Sequence, residues 1–139
     1  MSDISSVELM VRKKAEAEGR LDPPLSPAVF HILLALAAGE MHGYAIMQEI
    51  AILSDGRVSV GPGTLYGSIK KLLAAGLIEE SAQRPDPELD DERRRYYRLT
   101  GEGGLVLTSE ADRLSRLVRA ARARTVVRRR ATVLSAGDA

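Results

Sequence analysis

Five residues, Gly39-Glu40-Met41-His42-Gly43, are all that separate two apolar helical segments of this 139-residue chain. So short a connection forces the two helices to cross closely and share one core. The first begins at Ser26-Pro27, a good N-cap followed by the residue best suited to a first helical position. Its body, AVFHILLALAAG, is apolar nearly all round, which predicts burial, and Gly39 ends it. His31 inside it reads as a core or dimer-interface histidine. The second helix runs from about His42 to Leu53, with Tyr44, Ile46, Met47, Ile50 and Leu53 as its apolar stripe. His42 reads as a capping or turn residue.

A turn, SDGR, follows, and Val58 and Val60 alternate as a short strand would. Gly61-Pro62-Gly63 then opens a third helix, TLYGSIKKLLAAG, with Leu65, Ile69, Leu72 and Leu73 inward and Gly76 as its C-terminal cap. Leu77-Ile78 begins a strand. The stretch AQRPDPELDDERR has two prolines and five acids, which suits a hairpin tip, and RRYYRLT reads as the returning strand. There Tyr97 and Leu99 share the inner face while Tyr96 and Arg98 share the outer. Thr100 caps a last helix, in which Leu107, Ala111, Leu114, Val118, Ala121 and Thr125 step by four and three alternately. That is a coiled-coil seam, flanked by Leu117, with no partner in the chain, so it predicts pairing with a second copy. At the other end, Ile4, Val7, Met10 and Val11 fall at helical spacing and predict an arm helix over residues 3–18. LDPPLSP follows as a connector.

The expected architecture is therefore mostly α, of the α+β kind, in four parts. Residues 1–25 form the arm helix and proline-rich connector, and residues 26–99 a domain of three helices and a hairpin. Residues 100–131 are the long pairing helix and residues 132–139 a flexible tail. Three helices followed by a two-stranded hairpin is the order of a winged helix-turn-helix, in which the helix before the hairpin enters the major groove.

Composition narrows the chemistry. No cysteine is present, which excludes disulfides, thiolate zinc sites and cysteine nucleophiles. His31 and His42 are the only histidines, which leaves little for metal or triad chemistry. No nucleophile–base pair stands out, and Gly61-Pro62-Gly63 lacks the GK[ST] of a phosphate loop. The expectation is a protein that is not an enzyme, with no metal and no cofactor. No apolar run approaches the ~18 residues of a membrane span. The N-terminus is polar and acidic where a signal peptide would be basic and then apolar, so a cytoplasmic protein away from membranes is expected. The net charge of +1 hides an uneven layout, with eight arginines between 113 and 130.

At HGYAIMQEI, GPGTLYGSIKKLLAAGLIE and RRRYYRLTGEG, over roughly residues 28–105, the chain resembles the PadR family of transcriptional regulators. The resemblance implies a winged-helix regulator of double-stranded DNA, usually a repressor, that dimerises through terminal helices. Some members release DNA on binding phenolic acids or drug-like ligands, so a small-molecule effector is a further implied partner. Gly67 stands where relatives commonly carry proline. The wing is longer and more acidic than the usual form, with Asp86, Glu88, Asp90, Asp91 and Glu92 near its tip. The absence of tryptophan argues against a large aromatic ligand sandwich.

The candidate contacts follow from these positions. Thr64, Tyr66, Gly67, Ser68, Lys70 and Lys71 are left outward on the third helix by its inward leucines. Gly63 and Gly67 let the backbone approach a groove edge, Thr64 and Ser68 bond to bases or phosphates, and Tyr66 offers a hydroxyl. Lys70 and Lys71 neutralise phosphate. Tyr44 is open to two readings: phosphate contact at the amino end of the second helix, or membership of its apolar stripe. Arg93, Arg94 and Arg95 on the returning strand are equally open, to backbone contact or to ion pairs with Asp90, Asp91 and Glu92. The seam residues Leu107, Ala111, Leu114, Leu117, Val118 and Ala121 are the expected dimer interface, with long arginine stems covering its flanks. The alternative function is a winged helix that docks proteins and no longer binds DNA.

Overall fold

The structure is a computed structural model, and it describes residues 6–9, 21, 23–81 and 95–137, with side chains as far as Val126. Residues 6–9 are helical. The elements that follow are α1 (Pro27–Ala37), β1 (Met41–His42), α2 (Gly43–Leu53), α3 (Pro62–Ala74), β2 (Ile78–Glu80), β3 (Tyr96–Leu99) and α4 (Gly101–Gly137). The chain divides after Leu107 into two compact units. The rest of the expected arm helix, Arg93, Arg94, the acidic wing tip and the last two residues lie outside the described residues.

Helix α1 starts where its sequence says it should. The Ser26 side chain accepts from the Val29 amide at 3.2 Å, with Pro27 in the first turn. Val29, Ile32, Leu33, Ala35 and Leu36 are buried. They meet Ile46 and Ile50 of α2, Leu65, Ile69 and Leu72 of α3, and Leu77, Ile78 and Tyr97, in one core. Burying such side chains contributes about 1.5–3 kcal/mol each, so this cluster is the main stabilising element of the domain. His31 is no core residue. It is half-buried, and its Nδ1–H donates to the Pro27 carbonyl at 2.7 Å, a contact within its own helix.

Both later ends of the helix-turn-helix use the same stop. At α3 the Gly76 amide donates to Leu73 O and the Leu77 amide to Leu72 O, with Gly76 at φ +74°. At α2 the pair is Asp55 to Ile52 and Gly56 to Ala51, with Asp55 itself at φ +53°. These are Schellman ends, which need a left-handed residue after the cap. Val58 and Val60 do turn inward, but they form no strand. The Val58 amide is taken by Ser54 Oγ at 3.0 Å, which satisfies it without a neighbouring strand.

The strand that does form lies inside the five-residue connection. Met41 and His42 pair antiparallel with Tyr97 and Tyr96, while Ile78, Glu79 and Glu80 pair with Leu99, Arg98 and Tyr97 on the other side. The sheet order is β1-β3-β2, so β3 is central. Two members of the expected α2 stripe are also displaced: Tyr44 and Leu53 are exposed, and burial rests on Ile46 and Ile50. Leu73 of α3 is likewise exposed, one position past the buried row Leu65-Ile69-Leu72.

Thr100 caps α4, its Oγ1 accepting from the Gly103 amide at 3.1 Å and donating to Gly76 O at 2.7 Å. Helix α4 then continues to Gly137, beyond the expected fraying point at residue 131. Three helices, a small antiparallel sheet and a long terminal helix make this a mostly helical winged helix-turn-helix.

Candidate nucleic-acid interface

The third helix presents two faces of opposite character. Leu65, Ile69 and Leu72 are wholly buried, and Thr64, Gly67, Lys70 and Lys71 are exposed, with Ser68 half-buried. At 3.6 residues per turn, Thr64, Gly67, Ser68 and Lys71 fall on one stripe, and Lys70 flanks it. No acid lies anywhere in α3. Gly61 caps its start without a side chain, so the first-turn amides point outward with no carboxylate to neutralise them. Gly67 has open space where a side chain would be, so backbone can come close to whatever this stripe meets.

Tyr66 does not face outward as its spacing suggested. Its hydroxyl is buried, and it lies over Gly43, where a β-carbon would stand only 2.5 Å from Tyr66 Oη. The tyrosine therefore fills the notch between the start of α2 and the second turn of α3. With its hydroxyl buried there, Tyr66 is a packing residue rather than the outward phosphate donor that its spacing predicts, and Gly43, itself buried, leaves room for the ring.

At the start of α2 the His42 ring accepts the Ala45 amide at Nδ1, 3.1 Å away, which places the neutral ring's proton at Nε2. The ring stacks on Tyr44 (centroids 6.5 Å, planes 16° apart) and meets Tyr96 edge-on at 5.5 Å. Tyr44 is 57% exposed, so it is not part of the core stripe. An aromatic ledge thus adjoins the acid-free amino end of α2.

The sheet is electrostatically different. Arg98 Nε donates to Glu79 Oε1 at 2.6 Å, and its Nη1 lies 3.7 Å from Glu40 Oε1. Hydrogen bonding to Glu79, then the charge of Glu79 and Glu40, holds the guanidinium above the usual arginine range. Glu40 Oε2 accepts from Ser81, a buried hydroxyl, at 2.9 Å. Arg95 lies 3.7 Å from Glu80. Among the described residues, Arg95 and Arg98 thus have Glu80, Glu79 and Glu40 beside them, none of which sequence spacing singles out, while Asp90, Asp91 and Glu92 lie outside the described residues. The cross-strand match of Glu79 with Arg98 shows only once the hairpin register is known.

On α4, Leu107, the first seam residue, is half-buried and packs against the domain core. Ala111, Leu117, Val118 and Ala121 are exposed and Leu114 is half-buried. Among them Leu117 and Val118 are 55% and 47% exposed, a large apolar surface for one chain to leave in water. Glu110 is 1% exposed and is bonded by Arg113 one turn on, which raises the arginine's pKa. Among the described residues no group of three metal-binding side chains occurs, and no helix is long and apolar enough to cross a membrane.

The model of the transcriptional regulator PadR-like family matches residues 32–109. Transcriptional regulator Rv3488 of Mycobacterium tuberculosis is 40% identical over 89 residues, covering 64% of this chain and 77% of that protein. An uncharacterized 37.1 kDa protein in transposon TN4556 of Streptomyces fradiae is 38% identical over 86 residues. That match covers 62% of this chain, which spans only 22% of the larger protein. Among solved structures, a transcriptional regulator from Clostridium thermocellum superposes with a TM-score of 0.57 at 26% identity, over 68% of this chain and 88% of that one. With more than half its length matched, and the three helices and hairpin in place, the chain belongs to the PadR-like family of transcriptional regulators.

Proposed function

We propose that this regulator is a homodimeric repressor that reads a two-fold symmetric operator with α3 in the major groove. The observation that carries it is the division of α3 into a wholly buried apolar face and an acid-free outer stripe of exposed Thr64, Gly67 and Lys71 with half-buried Ser68. Thr64 and Ser68 read base edges, Gly67 allows close approach, and Lys70 and Lys71 hold phosphates. Tyr44 at the amino end of α2 contacts the backbone. Helix α4 pairs two copies through Ala111, Leu114, Leu117, Val118 and Ala121, which sets the two α3 helices about 34 Å apart or a multiple of that. A small ligand that shifts α4 alters this spacing and so releases DNA.

The alternative is a winged helix that docks a protein instead, and the capture of Arg95 and Arg98 by glutamates is what favours it. Fluorescence anisotropy with the protein's own upstream duplex and a scrambled one, over a salt series, separates the two. Selective binding with a clear salt slope, weakened in K70A/K71A while the dimer persists in sedimentation, supports the operator reading. Binding unchanged in that variant removes the lysines from the interface. Equal, weak binding to both duplexes, followed by failure of a random-sequence selection, leaves the protein-docking reading.

A further inference from the structure

We infer that Glu79 and Glu40 serve as an internal substitute for phosphate on Arg98, withholding the root of the wing from DNA so that discrimination rests on α3. This rests on the DNA-reading function proposed above and assigns these residues a part in its specificity.

The two carboxylates reach Arg98 from different elements. Glu79 is its register partner across β2 and β3, and Glu40 belongs to the turn between α1 and β1. Neither is a loosely placed chain. Glu79 makes a charge-assisted bond of 2.6 Å, and Glu40 is oriented by the buried hydroxyl of Ser81. Carboxylate and phosphate oxygens compete for the same guanidinium donors, and Glu79 already takes one of them with the charge of Glu40 close by. The Arg98 side chain is nearly half exposed, and ion pairs at that exposure add little to stability, so folding energy does not account for the arrangement.

Its effect is on charge. Among the described residues, Glu40 and Glu79 surround Arg98, and Glu80 lies beside Arg95, on a surface that a basic strand would otherwise make attractive to DNA. Phosphate contacts carry no sequence information and supply essentially all of non-specific affinity. A free Arg98 would strengthen complexes in any register, including those in which α3 reads nothing. A specific complex is already fixed in orientation by α3 and gains less.

The test compares wild type, E40Q/E79Q and R98A on the upstream and scrambled duplexes between about 50 and 200 mM salt, the range over which phosphate contacts are most visible. In E40Q/E79Q the scrambled duplex should bind several-fold more tightly at the lower salt, with a log–log salt slope steeper by about 0.9, one phosphate's worth. The ratio of operator to scrambled affinity should fall. In R98A both slopes should stay at wild-type values. An unmoved slope in E40Q/E79Q, or a slope shallower by about one phosphate in R98A, overturns the inference. E79Q alone keeps the Glu40–Ser81 bond and should steepen the slope in the same direction but by less, which serves if the double variant melts early. Wild type that binds neither duplex defeats the proposed function itself, whereas wild-type binding with unmoved variant slopes defeats only this inference.

Discussion

The Tyr66 phenol lies where a β-carbon on residue 43 would have to go, and this single juxtaposition sets how α2 and α3 meet. Gly43→Ala must displace that ring from its place over the start of α2, and the expected loss is about 1–3 kcal/mol. Thermal denaturation of G43A, Y66L and the double variant checks it, since the pair should be strongly non-additive, with G43A costing less once the ring is gone. Gly67 makes the contrasting case. It is helical with nothing within 4 Å of its absent side chain, so Gly67→Ala should stabilise the free protein by roughly 0.5–1 kcal/mol. The added methyl stands on the exposed stripe, so operator affinity should fall while the melting temperature rises. Opposite movements of these two quantities would mark Gly67 as a residue kept for the interface. A parallel rise would show that the stripe is not approached there.

Helix ends and packed faces were the legible elements. Ser26-Pro27, Gly61-Pro62, Gly76 and Thr100 each do what their residue type dictates locally, because capping depends on a few backbone groups close in sequence. Ser26→Ala should therefore cost about 1 kcal/mol, read from urea denaturation midpoints at constant slope. What the pattern missed depends on distant partners. Met41–His42 became a strand because β3 offered it an edge, while Val58–Val60, better alternated, had none. The contacts of Tyr66, and of Arg98 with Glu79, follow from the crossing of two helices and the register of a hairpin, and neither is written in spacing. Gly103 is of the same kind. A side chain there would overlap the Leu77 carbonyl oxygen, so the start of α4 can lie against Leu77, the residue before β2, only through a glycine. Gly103→Ala should cost about 3 kcal/mol or more, because the obstructing atom is backbone and cannot rotate aside.

For the molecule as a whole, the apolar surface on α4 asks for a partner of like kind. Replacing Leu117 and Val118 by aspartate puts two charges into a face proposed to close against its own copy. L117D/V118D should sediment as a monomer that still melts cooperatively, at a temperature below that of the dimer, since both residues are exposed in the single chain and only the association is lost. Operator affinity should fall by at least tenfold, because two half-sites would no longer be engaged together. A dimer that survives the change would move the pairing surface elsewhere. The central place of β3 has a consequence for the segment that precedes it. That strand is stitched on one side to the helix-turn-helix through β1 and on the other to β2, so its register is fixed twice over. Alignment held on both edges of β3 does not depend on the length of the chain that joins it to β2, so a short Gly-Ser insertion between Ser81 and Arg95 should leave the melting temperature of the domain nearly unchanged.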